Sequence, residues 1–205
     1  MGRPFFLDSV KTNGLTYNQY FQRTVDDSVK ILPADANEIQ THRHSMLKLN
    51  VQRMKRVEKT FSVSEEMAEE ISKINEKQTW MIISEPWCGD SAQIIPVLAN
   101  IASANTLIDL KIILRDENSE IMDLYVTEDN KRSIPVLVIF DEAGEELLRW
   151  GSRPEVVEKL VKDLKSQGLT KDEWLVKLHL WYAQNKGIEI EREILAKIRM
   201  DALTI

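Results

Sequence analysis

The segment Ser84–Pro96 reads SEPWCGDSAQIIP and contains the only cysteine of the 205-residue chain, Cys88. A dithiol with C-x-x-C spacing would place its second thiol at residue 91, where Ser91 stands. The sequence changes texture across this segment. Before it, TWMIIS (Thr79–Ser84) is short, apolar and rich in β-formers, which predicts a buried strand. After it, SAQIIPVLANIASA predicts a helix that starts at Ser91. Cys88 is therefore expected where a strand gives way to a helix. The first helical turn offers unpaired N–H groups and the positive end of the macrodipole, and both favour thiolate over thiol. A cysteine so placed can titrate well below the free value of about 8.5. The competing reading is a cysteine that only packs in a core.

Further on, LKIILRD (Leu110–Asp116) predicts a second buried strand, and NSEIMDLYVT a short helix opened by Asn118 or Ser119. PVLVIF (Pro135–Phe140) predicts a third strand, which DEAGEE turns through Gly144 into a fourth, LLRWG, as an antiparallel hairpin. RPEVVEKLVKDLKSQG predicts a helix with Gly168 at C′. Arg153 and Pro154 read as its start, with Pro at N1, and a substrate-contact role for Arg153 stays open. TKDE offers a capping box, Thr170 with Glu173, before a helix carrying Trp174, Leu178, Trp181 and Tyr182 as core residues. Gly187 interrupts the chain before a last helix over about Glu189–Ala202.

Upstream of the strand, Thr16–Asn75 has helical periodicity. Tyr17, Tyr20, Phe21, Val25 and Val29 make one apolar stripe, which Pro33 ends. A second helix is expected over about Asn37–Lys59, with Ile39, Met46, Leu49, Arg53 and Val57 in series. A third starts at Ser64 and carries Met67, Ile71 and Ile74 inward. The basic run QRMKRVEK (Gln52–Lys59) reads as a solvated helix face. Strand–helix–strand, helix, hairpin and closing helix predict an α/β fold, a central mixed sheet flanked by helices. The expected division is a helical N-terminal extension over 1–61, the sheet domain over 62–168, and a helical C-terminal extension over 169–205 packed on the same core.

The apolar share of 43% is enough for a real core. A net charge of −6 gives no footing for nucleic acid as a main partner. One cysteine excludes an intramolecular disulfide. The opening MGRPFFLDSVKTNG lacks the apolar core of a signal peptide, being interrupted by Asp8, and no apolar run approaches the roughly 20 residues of a membrane span. The expected compartment is the reducing cytosol, with no membrane partner. His42 and His44 point to different helix faces, and His179 is expected at a packing edge, so no zinc set and no cofactor is expected.

In this order the motifs resemble the thioredoxin superfamily. WCGDS resembles its W-C-G-P-C active-site segment, and Pro96 matches the proline that kinks the active-site helix. SIPVLVIF resembles its T-x-P loop and central strand, with Pro135 at the cis-proline position. DEAGEELLRWG resembles its hairpin. The resemblance spans about Ser62–Gly168, and EPWCGD is similar to a bacterial thioredoxin-like branch with helices added at both ends. It implies a thioredoxin-like fold with Cys88 and Ser91 as the reacting pair. Trp87, Gly89, Asp90, Ile134 and Pro135 would form the surface that docks an extended substrate strand.

Three positions depart from the family pattern. Ser91 replaces the resolving cysteine, so Cys88 can attack a disulfide but release falls to an outside thiol such as glutathione. Its hydroxyl can still stabilise the Cys88 thiolate. Ile82 stands where dithiol members keep a buried Asp, and Glu85 is expected in solvent. Asp90 stands where the family has proline. It repels the thiolate while suiting a helix N-terminus by about 0.3–1 kcal/mol, and the expected Cys88 pKa is near or somewhat above about 7. The implied activity is monothiol thiol–disulfide exchange with protein thiols or disulfides, in an oxidoreductase that lacks its resolving cysteine. The alternative is a redox-inactive binding or scaffold protein that uses the same groove and the flanking helices. A third reading has Cys88 holding glutathione, or a cluster shared between subunits.

Overall fold

Four strands form one mixed sheet in the order β2-β1-β3-β4, within a computed structural model that describes residues 4–202. They are β1 (Gln78–Ser84), β2 (Ile108–Leu114), β3 (Val136–Phe140) and β4 (Glu146–Gly151). β1 runs parallel to β2, with Ile82 opposite Ile112, and antiparallel to β3, with Met81 opposite Val138. β3 and β4 form the antiparallel hairpin. Side chains alternate across a strand, and here they feed two cores. Trp80, Ile82, Leu137 and Ile139 face one, while Met81, Ile83, Val136, Val138 and Phe140 face the other.

The larger core is roofed by helices from both ends of the chain. α2 (Tyr17–Val29), α3 (Glu38–Thr60) and α4 (Glu65–Ser72) contribute Tyr20, Met54, Val57, Met67 and Ile71. α5 (Ser91–Ser103) lies against the sheet, buried from Ser91 to Leu98. α7 (Glu155–Ser166), α8 (Lys171–Asn185) and α9 (Ile188–Ala202) add Val157, Leu178, Ile190 and Ile194. The smaller core is closed by α1 (Leu7–Asn13) and α6 (Ser119–Asp123) through Phe6, Leu7, Val10, Ile121 and Met122. Phe6 meets Phe140 and Tyr125 edge-on. The mixed sheet flanked by helices agrees with the sequence expectation. Among the described residues no helix is long and apolar enough to cross a membrane.

Caps fix several boundaries. Thr16, Asn37 and Thr170 each make a full capping box, with Gln19, Gln40 and Glu173 respectively. Gly168, at φ +78°, follows the last turn of α7 in the left-handed conformation that C′ favours. Other details differ from the sequence reading. The N-terminal residues form α1, which the sequence did not suggest. β2 begins two residues earlier than expected. On α2 the buried positions are Tyr20, Thr24 and Ser28, and Val29 is exposed. On α3 the buried series is Leu47, Asn50, Met54 and Val57, while Ile39 and Leu49 face solvent. The physical reason is that α3 packs on the turn around Cys88, which selects a partly polar face. The basic run is accordingly no solvated face: Arg53 and Arg56 turn inward.

Candidate thiol site

β1 ends at Ser84, and residues 85–90 turn the chain into α5. The turn is pinned from below: Cys88 N–H donates to Glu85 O at 3.0 Å, and Ala92 N–H to Cys88 O at 3.2 Å. Cys88 lies just before the helix, 9% exposed, and its thiol donates to the Ile134 carbonyl at 3.5 Å. The Ile134–Pro135 bond beside it is cis. Cys88, Trp87, Asp90 and Ile134 share a cleft of about 820 Å³. Gly89 and Ser91 do not line it. Ser91 is fully buried, and its hydroxyl has no partner of its own beside the neutral thiol, yet it is placed to favour a thiolate at Cys88.

Burial pushes the Cys88 thiol above its ordinary value, and the Asp90 carboxylate adds to the rise. The Ser91 hydroxyl and the N–H groups of Ser91 and Asp90 pull the other way without winning. This corrects the expectation of a pKa near 7. Position at a helix start favours the thiolate, but loss of water around the sulfur outweighs it.

Asp90 is gripped from both sides. Its Oδ2 accepts from Arg153 Nη2 at 2.8 Å, and its Oδ1 from the Tyr182 hydroxyl at 2.9 Å. The pair with Arg153 is largely shielded, with side chains 10% and 20% exposed. Burial works against the Arg153 charge, but Asp90 outweighs it and holds the guanidinium above its usual pKa. Burial also drives the Tyr182 phenol upward, reinforced by Asp90.

Gly89 faces α3 and α8. A Cβ added there would lie 2.8 Å from His179 Cε1 and 3.3 Å from Arg53 Nη1. A polar chain links these helices to α5. Asn50 Nδ2 donates to Pro86 O at 2.8 Å, and Arg53 Nη1 donates to Asn50 Oδ1 at 2.8 Å. Arg56 Nη2 donates to Gln93 Oε1 at 2.7 Å, leaving Gln93 Nε2 to donate to His179 Nδ1 at 3.2 Å. The neutral imidazole therefore carries its proton on Nε2, a buried atom without a partner. Burial, aided by the Arg53 charge, lowers the His179 pKa to about 4. Burial likewise lowers Arg53 to about 10.

The His179 shift has a measurable consequence. An imidazole near 6.5 unfolded and about 4 folded binds fewer protons in the fold. Its stabilising contribution is complete above about pH 6.5, is lost progressively as pH falls towards 4, and amounts to roughly 3 kcal/mol. Urea midpoints of the parent should fall more steeply over that window than those of His179→Gln. Parallel curves would contradict this.

Two guanidinium groups stand over the Trp87 ring, that of Arg43 4.4 Å from the centroid and that of Arg115 5.0 Å away. It separates the thiol cleft from a second, more apolar hollow of about 380 Å³ that includes Ile31, Leu47 and Pro86. Glu85 lines that hollow, buried rather than solvated as expected; its carboxylate accepts from Asp116 N–H at 2.8 Å. Burial raises its pKa in spite of that bond. Sequence reasoning placed His179 and Tyr182 only as packing residues and missed Asn50 and Gln93. The available signal was a polar tip at positions 179 and 182, three apart on one helix face.

The family model described as Thioredoxin matches residues 18–165. Two solved structures are similar over nearly the whole chain. The crystal structure of an HIV epitope-scaffold has a TM-score of 0.59 at 17% identity, covering 94% of this chain and 96% of its own. A protein of unknown function from Pseudomonas aeruginosa has a TM-score of 0.56 at 15% identity, covering 90% and 98%. No curated protein matches the chain.

Proposed function

The chain belongs to the thioredoxin family, and from that premise we propose that it performs one-thiol disulfide exchange at Cys88. The observation that carries the reading is the place of the sulfur: at the start of α5, on the cleft, 3.5 Å from the Ile134 carbonyl. A substrate strand laid against residues 134–135 brings its disulfide to that sulfur. The Cys88 thiolate attacks one sulfur of the substrate; a Cys88–S bond forms, the substrate S–S bond breaks, and the other sulfur leaves as a thiolate. Ser91 cannot release the product, so the thiolate of an external thiol, glutathione or a protein thiol, attacks the mixed disulfide and expels Cys88. Ser91 donates to the Cys88 thiolate, and Trp87 and Asp90 with Ile134 and Pro135 frame the docking surface, with Gly89 as the turn that brings α8 close. The reducing cytosol suits this cycle.

The raised thiol pKa sets the tempo. Few molecules are thiolate at neutral pH, although a more basic thiolate is a better nucleophile, with Brønsted β about 0.4–0.5. That same burial favours a second reading, in which the groove docks extended peptides without a redox cycle. Alkylation followed by intact mass from about pH 5 to 10, with mixed-disulfide formation on 2-hydroxyethyl disulfide, separates them. We expect an inflection above about 8.5, a mixed disulfide that an added thiol releases, and disulfide reductase activity gained by Ser91→Cys. No mixed disulfide at any pH, with an inert Ser91→Cys, would leave only the docking reading.

A further inference from the structure

We infer that the Cys88 cleft selects disulfides flanked by carboxylates; this rests on the exchange reading and names its substrate class. The chain as a whole is acidic, with net charge −6. The cleft is not. Its walls carry Arg115, Lys131, Arg132, Arg153, Lys162 and Lys165 against Asp90, Glu128, Asp129 and Glu158. Most of these charges are already paired: Arg153 with Asp90 and Glu158, Lys131 with Asp129, Arg115 with Asp116 and Arg132 with Asp123. Among the described residues that leaves Lys162 and Lys165 against Glu128 as the unneutralised charges of the cleft.

Cations are placed around the sulfur by separate elements. Arg115, after β2, is held against the Trp87 ring and donates to Arg132 O at 3.3 Å, which ties that rim to the segment leading into Pro135. Lys162 and Lys165 stand one turn apart on α7 across the cleft. Lys165 lies 4.9 Å from the Trp174 ring, and among the described residues Lys162 has no carboxylate within ion-pairing distance. A concave surface with an excess of one charge concentrates ligands of the other sign and raises their encounter rate. A carboxylate beside the scissile disulfide meets Lys162 and Lys165 while its sulfur meets Cys88. An ammonium group there is repelled. The shared chemistry, carboxylates around a cystine, belongs to small anionic disulfides and to acidic protein segments alike.

The test uses three aliphatic disulfides with the full chain: 3,3′-dithiodipropionate (dianionic), 2-hydroxyethyl disulfide (neutral) and cystamine (dicationic). Mixed-disulfide rates are divided by those of a small uncharged thiol with the same disulfide, which removes leaving-group differences. The dianion should then exceed the dication by about tenfold at low salt, and the ratio should shrink towards one near 0.5 M salt. Lys162→Glu/Lys165→Glu should remove the preference, read within the variant as the rates of the dianion and the dication relative to the neutral disulfide. A pair of cystine peptides, one Asp-rich and one Lys-rich, reports the source: separation of the peptides alone points to protein segments, and separation of both series to small thiols as well. Equal normalised rates for all charges in both the small disulfides and the peptides, or a preference unmoved by salt and by the charge reversals, would overturn the inference while leaving the exchange reading intact. Absence of any mixed disulfide would remove both.

Discussion

Replacing Arg153 by alanine is expected to destabilise the fold by about 3–5 kcal/mol, because it strands a buried carboxylate. The side chain it leaves behind, Asp90, is 10% exposed and keeps only the Tyr182 hydroxyl as a partner. The same change should slow Cys88 at neutral pH. With the guanidinium gone, the Asp90 charge acts on the sulfur undiminished, which raises the thiol pKa further and lowers the thiolate fraction at neutral pH. Asp90→Asn moves the other way, since it removes the repulsion and leaves Arg153 free to favour the thiolate. Chemical unfolding and alkylation against pH, on the two single variants and the double, form a cycle that isolates the coupling. If the double variant behaves as the sum of the singles, the grip of Arg153 on Asp90 does not act on Cys88.

Gly151→Ala should be the most damaging small substitution in the chain, at about 3 kcal/mol or more. Gly151 closes β4 opposite Val136 and has φ +139°. An added Cβ would stand 2.4 Å from the Pro135 carbonyl oxygen and 3.1 Å from Val136 Cα. Both are backbone atoms, so relief requires moving the segment that carries Ile134 and Pro135 beside the sulfur. Gly168→Ala is the control: φ is also positive, at +78°, but nothing lies within 4 Å of the new Cβ. It isolates the backbone term of about 1–2 kcal/mol. Thermal midpoints should therefore separate the two variants, and the alkylation rate of Cys88 should change only in Gly151→Ala. Equal losses would mean that the contact with Pro135 relaxes freely.

Much of the architecture was legible because its signals are local. The continuous apolar runs TWMIIS and PVLVIF, the turn at Gly144 and the capping box at Thr170 all act within a few residues. What escaped depends on partners far along the chain. Asn50, Arg53 and Arg56 lie on the buried face of α3 because Pro86 and Gln93 accept and relay their hydrogen bonds. A count of apolar positions therefore chose Ile39 and Leu49, which face water. Glu85 read as solvated because its donor, the Asp116 N–H, is 31 residues away. α1 is seven residues long, with no side-chain cap, so little but packing of Phe6, Leu7 and Val10 marks it as a helix. At the site, the sequence supplied Cys88 and its neighbours, while the grip on Asp90 spans 63 and 92 residues.

That long reach has a consequence during synthesis. The strand that ends at Ser84 and the turn with Cys88 leave the ribosome well before Tyr182 and His179 exist. A nascent chain shorter than α8 carries the thiol in a pocket open on one side, with Asp90 lacking its phenol and Gly89 lacking its imidazole neighbour. Synthesis and docking of α8 thus set the final environment of the sulfur, and the reactivity of the cysteine reports whether that helix has docked.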